Sequence, residues 1–294
     1  MKQLLEGYIE SNQQLFLDKV KEHFKPLTIP EQLKKSMLYS LEAGGKRLRP
    51  ILLRASFETY SPNVEKTYST QIALEMIHTY SLIHDDLPAM DDDSYRRGLL
   101  TNHKVFGEAT AILAGDGLLT YSFEIIANDP LLSEVEKVYI LRELARASGP
   151  SGMVAGQILD MEAENQSVNL EQLEKIHALK TGELLRFAVS AGAFLGNATE
   201  EQIQHLEQFA YYLGLIFQVQ DDILDVTGDE GKLGKAVGSD ESNHKSTYPK
   251  LLGLDGAIEM KKRYTEKAME LLKHANANTS RLAELTTYFS ERDH

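Results

Sequence analysis

Five carboxylates in nine residues mark the stretch Asp85-Asp86-Leu87-Pro88-Ala89-Met90-Asp91-Asp92-Asp93. It follows a segment from Ile72 to Ile83 in which apolar residues recur at i+3 and i+4 spacing, the pattern of a helix packed on a core. Like charges one helical turn apart destabilise a helix by roughly 0.2–0.5 kcal/mol per pair. A fold that keeps this cluster against its core is therefore expected to neutralise it with bound cations.

A second acidic cluster lies much later in the chain and reads Gln220-Asp221-Asp222-Ile223-Leu224-Asp225. Asp221 and Asp225 are one helical turn apart, so the spacing predicts that the carboxylates of this cluster share one rim of a helix with Gln218. A solvated acidic face is the alternative interpretation of one such cluster, but two of them, each after a buried-looking helix, favour metal binding. Oxygen-only ligands indicate a hard ion, and Mg²⁺ suits a site completed by water and phosphate.

The composition excludes several other functions. The chain has 294 residues and no cysteine, so it has no disulfide framework, thiolate metal site or cysteine nucleophile. A net charge of −13 argues against a nucleic-acid partner. The first residues lack the apolar core of a signal peptide, and no stretch approaches the roughly 18 apolar residues of a membrane span. We therefore expect a cytoplasmic protein.

Helical periodicity dominates the whole sequence, and no run of alternating strand residues is convincing. We predict an all-α fold, a single domain over residues 1–294 built as a bundle of about ten to twelve helices around a central cavity. Pro88 should end the helix that enters the first cluster, and Gly44-Gly45 should end a helix from about Glu31 to Ala43. Residues 228–244 read as a loop, either a lid over the second cluster or an ordinary surface connection.

Basic residues complement the acidic clusters. The stretch Gly44-Gly45-Lys46-Arg47-Leu48-Arg49-Pro50 places three cations on a glycine-hinged turn that opens a helix, a combination suited to a diphosphate. Three more groups are Arg96-Arg97-Gly98, Lys180-Thr181-Gly182 and Lys235. Any one of them alone is more often a surface cation, and His78 alone is more often a core residue. Together, however, the basic groups favour binding of phosphorylated substrates.

Taken in their order along the chain, these motifs resemble those of the trans-isoprenyl diphosphate synthases, and most closely those of the bacterial farnesyl diphosphate synthases. The resemblance covers nearly the whole chain and rests on Gly44–Pro50, Ser81–Asp93, Arg96–Gly98, Thr101-Asn102-His103, Gly156-Gln157 with Asp160, Lys180–Gly182 and Phe217–Asp225. It implies a Mg²⁺-dependent prenyltransferase that condenses isopentenyl diphosphate head-to-tail with dimethylallyl or geranyl diphosphate. It also implies a homodimer and three Mg²⁺ ions that carry the allylic diphosphate.

The resemblance assigns roles to individual residues. The metal ligands would be Asp85, Asp86, Asp91, Asp92, Asp221, Asp222 and Asp225. The allylic diphosphate would be held by Arg96, Lys180, Gln218 and Lys235. Isopentenyl diphosphate would be held by Gly45, Lys46, Arg49, His78 and Arg97. Thr181 and the Lys180 carbonyl would steady the allylic cation, so the residues closest to the chemistry would be Asp85, Asp91, Asp221, Lys180, Thr181 and Arg96.

Product length depends on the helix that precedes Asp85. Tyr80 lies five residues earlier, roughly 7.5 Å along a helix, where a large side chain would stop the growing tail after few isoprene units, while Ser81 leaves room beside it. We therefore predict the C15 product, (2E,6E)-farnesyl diphosphate. A C20 or other short-chain product stays open, as does the reading of Tyr80 as plain core. A class I terpene cyclase and a non-catalytic helical subunit are the remaining alternatives. The repeated aspartates disfavour both, because a non-catalytic subunit would be expected to have lost carboxylates, and the Lys46/Arg49 pair further disfavours the cyclase.

Overall fold

Helices make up nearly all of the regular structure in this computed structural model, which describes residues 2–164, 166–228, 246–278 and 280–292. In chain order the helices are α1 (Lys2–Phe24), α2 (Glu31–Glu42), α3 (Leu48–Glu58), α4 (Tyr68–Asp85), α5 (Asn102–Phe106), α6 (Glu108–Ala127), α7 (Glu134–Ser148), α8 (Met153–Ala163), α9 (Leu170–His177), α10 (Glu183–Leu195), α11 (Glu200–Thr227), α12 (Tyr248–His274) and α13 (Arg281–Glu291). The all-α prediction is confirmed.

Two predicted helix ends are also confirmed. α4 ends at Asp85, with Asp86 as its C-cap, two residues before Pro88. α2 ends at Glu42, because Gly44 and Gly45 follow it with φ angles of 79° and 98° that other residues rarely adopt.

One short hairpin interrupts the helices and was not predicted. Strand β1 (Tyr95–Arg96) pairs antiparallel with β2 (Leu99–Leu100), with Arg96 opposite Leu99. The two turn residues, Arg97 and Gly98, have φ angles of 54° and 78°, as expected for the tightest hairpin turns. The strands are too short to give an alternating pattern in the sequence, so the turn glycine, Gly98, was the signal from which a hairpin could have been predicted.

The described residues form two compact units. The N-terminal unit comprises residues 2–54 and 63–141, and the C-terminal unit comprises residues 55–62 together with the described residues from 142 onward. The N-terminal unit is centred on α4, which packs mainly on α6, and the C-terminal unit on α11, which packs on α10 and α12. The single domain over residues 1–294 stays a prediction.

α4 and α6 approach closely at Gly115. A Cβ atom built on Gly115 would lie 2.2 Å from Nε2 of His84, and that nitrogen is 3.1 Å from the carbonyl oxygen of Ile112. The ring of His84 in turn meets the ring of Tyr80 edge-on, with 5.7 Å between centroids. The absence of a side chain at Gly115 therefore leaves the space that the His84 ring occupies, and His84 in turn packs against Tyr80 near the end of α4.

We expect Gly115→Ala to lower the free energy of unfolding by about 1–3 kcal/mol, because the added methyl must displace the His84 ring. Urea denaturation followed by circular dichroism measures this. Gly117→Ala is the matched control on the same helix, since its Cβ would meet the flexible end of Met37, with Sδ at 3.3 Å and Cε at 3.5 Å, and Leu33 Cδ1 at 3.9 Å. Equal stability of the two variants would contradict the packing role of Gly115.

α6 qualifies the expectation about membrane spans. By length and composition it could cross a membrane, with a mean hydropathy of 1.2, and 39% of the 18-residue window is buried. Core helices of soluble proteins meet the same test, and α6 packs on α4, α2 and α5. Its outer face nevertheless leaves Ile112 and Leu113 exposed at 43% and 60%.

Candidate functional site

The first aspartate cluster folds back on the end of α4. The backbone N–H of Asp91 donates to the carbonyl oxygen of Asp85 over 2.9 Å, and the N–H groups of Met90 and Asp92 both donate to Leu87, over 2.8 and 3.1 Å. The turn that follows Pro88 thus places Asp91 beside Asp85 although six positions separate them. Asp91 is exposed and Asp85 is half-buried, so both carboxylates are within reach of a ligand.

Asp86 lies behind this pair and is 3% exposed. Nε of Arg96 donates to Oδ1 of Asp86 over 2.6 Å, and Nη2 of Arg96 lies 2.5 Å from the same oxygen and 3.4 Å from Asp93 Oδ2. Burial raises the pKa of Asp86, while the Arg96 guanidinium opposes that shift. In this arrangement Asp86 anchors Arg96, and the role of Asp86 as a metal ligand stays a prediction. Asp92 is exposed, 3.7 Å from Lys104 Nζ.

The cationic turn that follows α2 is packed against Arg97. Nη1 of Arg97 donates to the carbonyl oxygen of Gly44 over 2.7 Å. A Cβ atom on Gly45 would lie 2.5 Å from Cζ of Arg97, so only glycine allows this stacking. Lys46 and Arg49, the two cations assigned to isopentenyl diphosphate, are half-exposed on this turn. The N-terminal unit therefore brings the predicted Gly45, Lys46, Arg49 and Arg97 together.

His78 belongs to the same region. Burial and the charges of Arg49, Arg97, Arg47 and Arg96 hold its pKa well below the usual value. The imidazole is therefore neutral at pH 7 and can offer hydrogen bonds but no positive charge to a diphosphate.

This shift predicts how stability depends on pH. His78 stays neutral in the folded protein but takes up a proton near pH 6.5 when unfolded, so the unfolded state binds more protons as the pH falls. We expect His78 to lower the free energy of unfolding by about 1 kcal/mol between pH 7.5 and 5.5. Urea titrations of wild type and His78→Gln at both pH values measure it. The variant should lose less stability on acidification, and identical losses would refute the prediction.

The second aspartate cluster lies near the end of α11, and its three carboxylates differ in environment. The Asp221 side chain is 40% exposed, whereas Asp222 and Asp225 are buried at 6% and 3%. Oδ2 of Asp222 accepts the backbone N–H of Tyr248 over 2.8 Å, which ties α11 to the start of α12. Of the three carboxylates on the predicted common rim, Asp221 is thus the accessible one, and Gln218 on the same rim is half-exposed. Metal ligation by Asp222 and Asp225 stays a prediction.

A cavity of about 240 Å³ in the C-terminal unit brings several predicted residues together. Its lining includes Asp221, Asp222, Gln218, Lys180 and Thr181, together with Asp160 and His177. The cavity is therefore formed by α8, α9, α11 and the segment before α10, and it carries both acidic and basic side chains.

Lys180 and Thr181 lie on a π-helical turn (Ala178–Gly182) that joins α9 to α10. Such turns concentrate at functional sites because they expose backbone groups. A Cβ on Gly156 of α8 would lie 2.2 Å from the Lys180 backbone nitrogen, and one on Gly214 of α11 would lie 3.0 Å from the Gly182 Cα. Nζ of Lys180 pairs with Asp160 Oδ2 at 2.5 Å, so the lysine is held in place on a tightly packed turn.

Arg292 is a site neighbour that the sequence analysis missed. Its Nη2 lies 2.5 Å from Asp221 Oδ1 and donates to the Phe217 carbonyl oxygen over 3.1 Å, and its guanidinium covers the Phe217 ring at 4.1 Å. An arginine so far along the chain gives no local signal of such a contact. Lys235 and residues 229–244 of the predicted lid lie outside the described residues.

Within the described ranges, no three acidic, histidine or cysteine side chains converge as a protein-only metal site would. The donors present still fit Mg²⁺. Asp85 and Asp91 lie side by side, Asp221 is accessible, and all three offer carboxylate oxygens. Mg²⁺ commonly binds one or two protein carboxylates and completes its coordination shell with water and phosphate.

Comparisons with known proteins give concordant results. The family model described as polyprenyl synthetase matches residues 30–289. A farnesyl diphosphate synthase of Geobacillus stearothermophilus is 48% identical over 292 residues, which are 99% of this chain and 98% of the relative. A chloroplastic geranylgeranyl pyrophosphate synthase of Capsicum annuum is 46% identical over 90% of this chain and 72% of the relative. The crystal structure of a geranyltransferase from Legionella pneumophila superposes with a TM-score of 0.87 at 35% identity, covering 99% of this chain and 98% of that one.

Proposed function

Because the chain belongs to the polyprenyl synthetase family, we propose that it condenses isopentenyl diphosphate with dimethylallyl and then geranyl diphosphate to give farnesyl diphosphate. In each condensation the C–O bond of the allylic diphosphate breaks, a C–C bond to isopentenyl diphosphate forms, and one proton leaves. The observation that carries the proposal is the pairing of accessible carboxylates with a fixed cation. In the N-terminal unit Asp85 and Asp91 are joined through the backbone, and Asp86, next to Asp85, holds Arg96. In the C-terminal unit Asp221 lines a cavity with Lys180.

Members of this family are generally Mg²⁺-dependent, and the proposal includes the three ions implied by the resemblance. Bound Mg²⁺ would supply Lewis-acid neutralisation of the charge that develops on the departing diphosphate. Asp85, Asp91 and Asp221 would hold the ions. Arg96 and Lys180 would contact the diphosphate oxygens, and their own anchors, Asp86 and Asp160, limit how far they can move.

Isopentenyl diphosphate is assigned to Lys46, Arg49 and Arg97 around the turn after α2. Two half-exposed cations and a guanidinium stacked on Gly45 give a positively charged surface suited to a diphosphate. His78 would add a neutral hydrogen-bonding group there. Binding at this site positions the double bond for attack, which is an effect of proximity. The released diphosphate is the base we assign to the final proton.

A C15 product is proposed over the C20 alternative because Tyr80 is a large side chain held in place. It is 7% exposed and packs edge-on against His84, which is itself fixed at Gly115. The C20 reading draws support from the pepper relative named geranylgeranyl pyrophosphate synthase. The length of the product therefore distinguishes the proposed farnesyl diphosphate synthase from a geranylgeranyl diphosphate synthase, which catalyses the same type of condensation.

A homodimer in the cytoplasm completes the proposal. The exposed apolar side chains of α6, Ile112 and Leu113, form a face that a second copy would cover, as apolar faces are in permanent dimers. The absence of cysteine accords with a reducing compartment. Analytical ultracentrifugation tests the dimer, and a single-chain species at micromolar concentration would overturn it.

Incubation of the pure protein with Mg²⁺, dimethylallyl diphosphate and isopentenyl diphosphate tests the function. We expect diphosphate release and farnesyl diphosphate by chromatography after dephosphorylation. Omitting isopentenyl diphosphate is the control, because a terpene cyclase would release diphosphate from an allylic substrate alone. No release with both substrates present would overturn the proposal.

A further inference from the structure

Arg47 lies between Lys46 and Arg49 in the cationic turn, yet its side chain is turned into the protein. It is 2% exposed, and its Nη1 donates to Oε1 of Glu75 on α4 over 2.7 Å. The Glu75 side chain is also 2% exposed. The second guanidinium nitrogen, Nη2, donates to the carbonyl oxygen of Leu41 near the end of α2. One buried ion pair therefore ties α2, the turn and α4 together.

The backbone of the turn needs such a tie. Arg47 has a φ of 50°, a left-handed conformation that is unfavourable for a residue with a large side chain. Conformations of this kind persist where the surrounding contacts determine them. The two contacts made by the Arg47 guanidinium satisfy that condition, because neither could be kept if the turn relaxed.

Two further contacts hold the same turn from other directions. Nε2 of Gln13 on α1 donates to the carbonyl oxygen of Lys46 over 2.9 Å. Nη1 of Arg97 donates to the carbonyl oxygen of Gly44 over 2.7 Å. Gly44, Lys46 and Arg47 are thus each held by a separate contact, while the side chains of Lys46 and Arg49 remain half-exposed.

Glu75 also balances charge in this region. Arg47, Arg49, Arg96 and Arg97 all act on His78, so four guanidinium groups share a small volume. Burial lowers the pKa of Arg97, and the charge of Arg47 adds to that shift, whereas the charge of Glu75 opposes it. Removing Glu75 would leave Arg47 as an unpaired buried charge and increase the repulsion within the cluster.

We propose that Arg47 and Glu75 are positioning residues for isopentenyl diphosphate: their buried ion pair sets the turn from which Lys46 and Arg49 bind the diphosphate. The identity of the ligand rests on the proposed function. The pair itself does not touch the substrate, and it acts through the geometry of the turn.

Glu75→Gln and Arg47→Met test the proposal in the full-length protein. We expect each to raise the KM for isopentenyl diphosphate about tenfold, because the two cations are displaced, and to leave the KM for geranyl diphosphate within about twofold. Calorimetry with isopentenyl diphosphate, without Mg²⁺ or allylic substrate, should show the same tenfold weakening. Glu136→Gln is the matched control, because it breaks an ion pair of the same unit, with Lys66, away from the turn.

A merely structural pair would lower stability and move both KM values together, and that outcome overturns the proposal. If a single variant does not fold, the double variant Arg47→Met with Glu75→Leu replaces both charges by apolar groups, a change that buried pairs often tolerate. Wild-type binding of isopentenyl diphosphate by the folded double variant would equally overturn it. The calorimetric arm does not require turnover, so it tests the pair even if the proposed condensation fails.

Discussion

Enzyme carrying Asp91→Asn is expected to turn over about 10³-fold more slowly than wild type, a loss of about 4 kcal/mol of transition-state stabilisation. The amide keeps the size of the side chain and the backbone hydrogen bond to Asp85, so the turn after α4 should persist. What it loses is the negative charge that a Mg²⁺ ligand must supply. The measurement is kcat at saturating substrate over a titration of Mg²⁺, in which the variant should also need more metal.

Asp93→Asn is the matched control for this experiment. Asp93 belongs to the same cluster and its side chain is 51% exposed, but its contact is with Arg96 at 3.4 Å, and no metal is assigned to it. We expect its kcat to stay within about threefold of wild type, as for the loss of an exposed ion pair. Equal losses in the two variants would show that the cluster acts through its total charge, and the assignment to Asp91 would be wrong.

Tyr80→Ala is expected to change the product from C15 to C20 and longer chains. Alanine removes the whole ring that, in the proposal, lies at the end of the growing tail, and an isoprene unit is about the size of the space left. Chromatography of the dephosphorylated products over time measures the distribution. The rate of the first condensation should change little, because Tyr80 is assigned neither to the metal ions nor to the two diphosphates.

Tyr80→Phe separates the size of the side chain from its hydroxyl group. Burial raises the pKa of the Tyr80 hydroxyl, with a further contribution from Asp85, so the group is neutral and makes no charge contribution to the site. We expect the phenylalanine variant to make farnesyl diphosphate as wild type does. A C15 product from the alanine variant would make Tyr80 an ordinary core residue, and the C15 assignment would need another determinant.

Local signals accounted for much of the fold. The apolar spacing before Asp85 predicted α4, and Pro88 predicted its end, because both act through the backbone of their own segment. The Gly44-Gly45 pair predicted the end of α2 in the same way. The approach of Asp91 to Asp85 was not predicted, although it arises within the same short segment after the helix end.

Contacts between distant segments were not predictable in this way. Asp221 and Asp222 are neighbours of the same type, yet one is exposed and the other accepts a hydrogen bond from Tyr248. Arg292 reaches Asp221 from the far end of the chain. Such differences arise from tertiary packing, and a single sequence carries no spacing that encodes them.

The β1–β2 hairpin sets a constraint on how this sequence can vary. Arg96 and Arg97 are adjacent, yet the first is bound to Asp86 beside the proposed metal ligands and the second to Gly44 on the cationic turn. Both contacts depend on where the hairpin turn falls, so one inserted or deleted residue between Ser94 and Gly98 would misplace both arginines together. The length of this hairpin is therefore as strictly determined as the identity of the two arginines, and it links the two regions of the N-terminal unit that we assign to diphosphates.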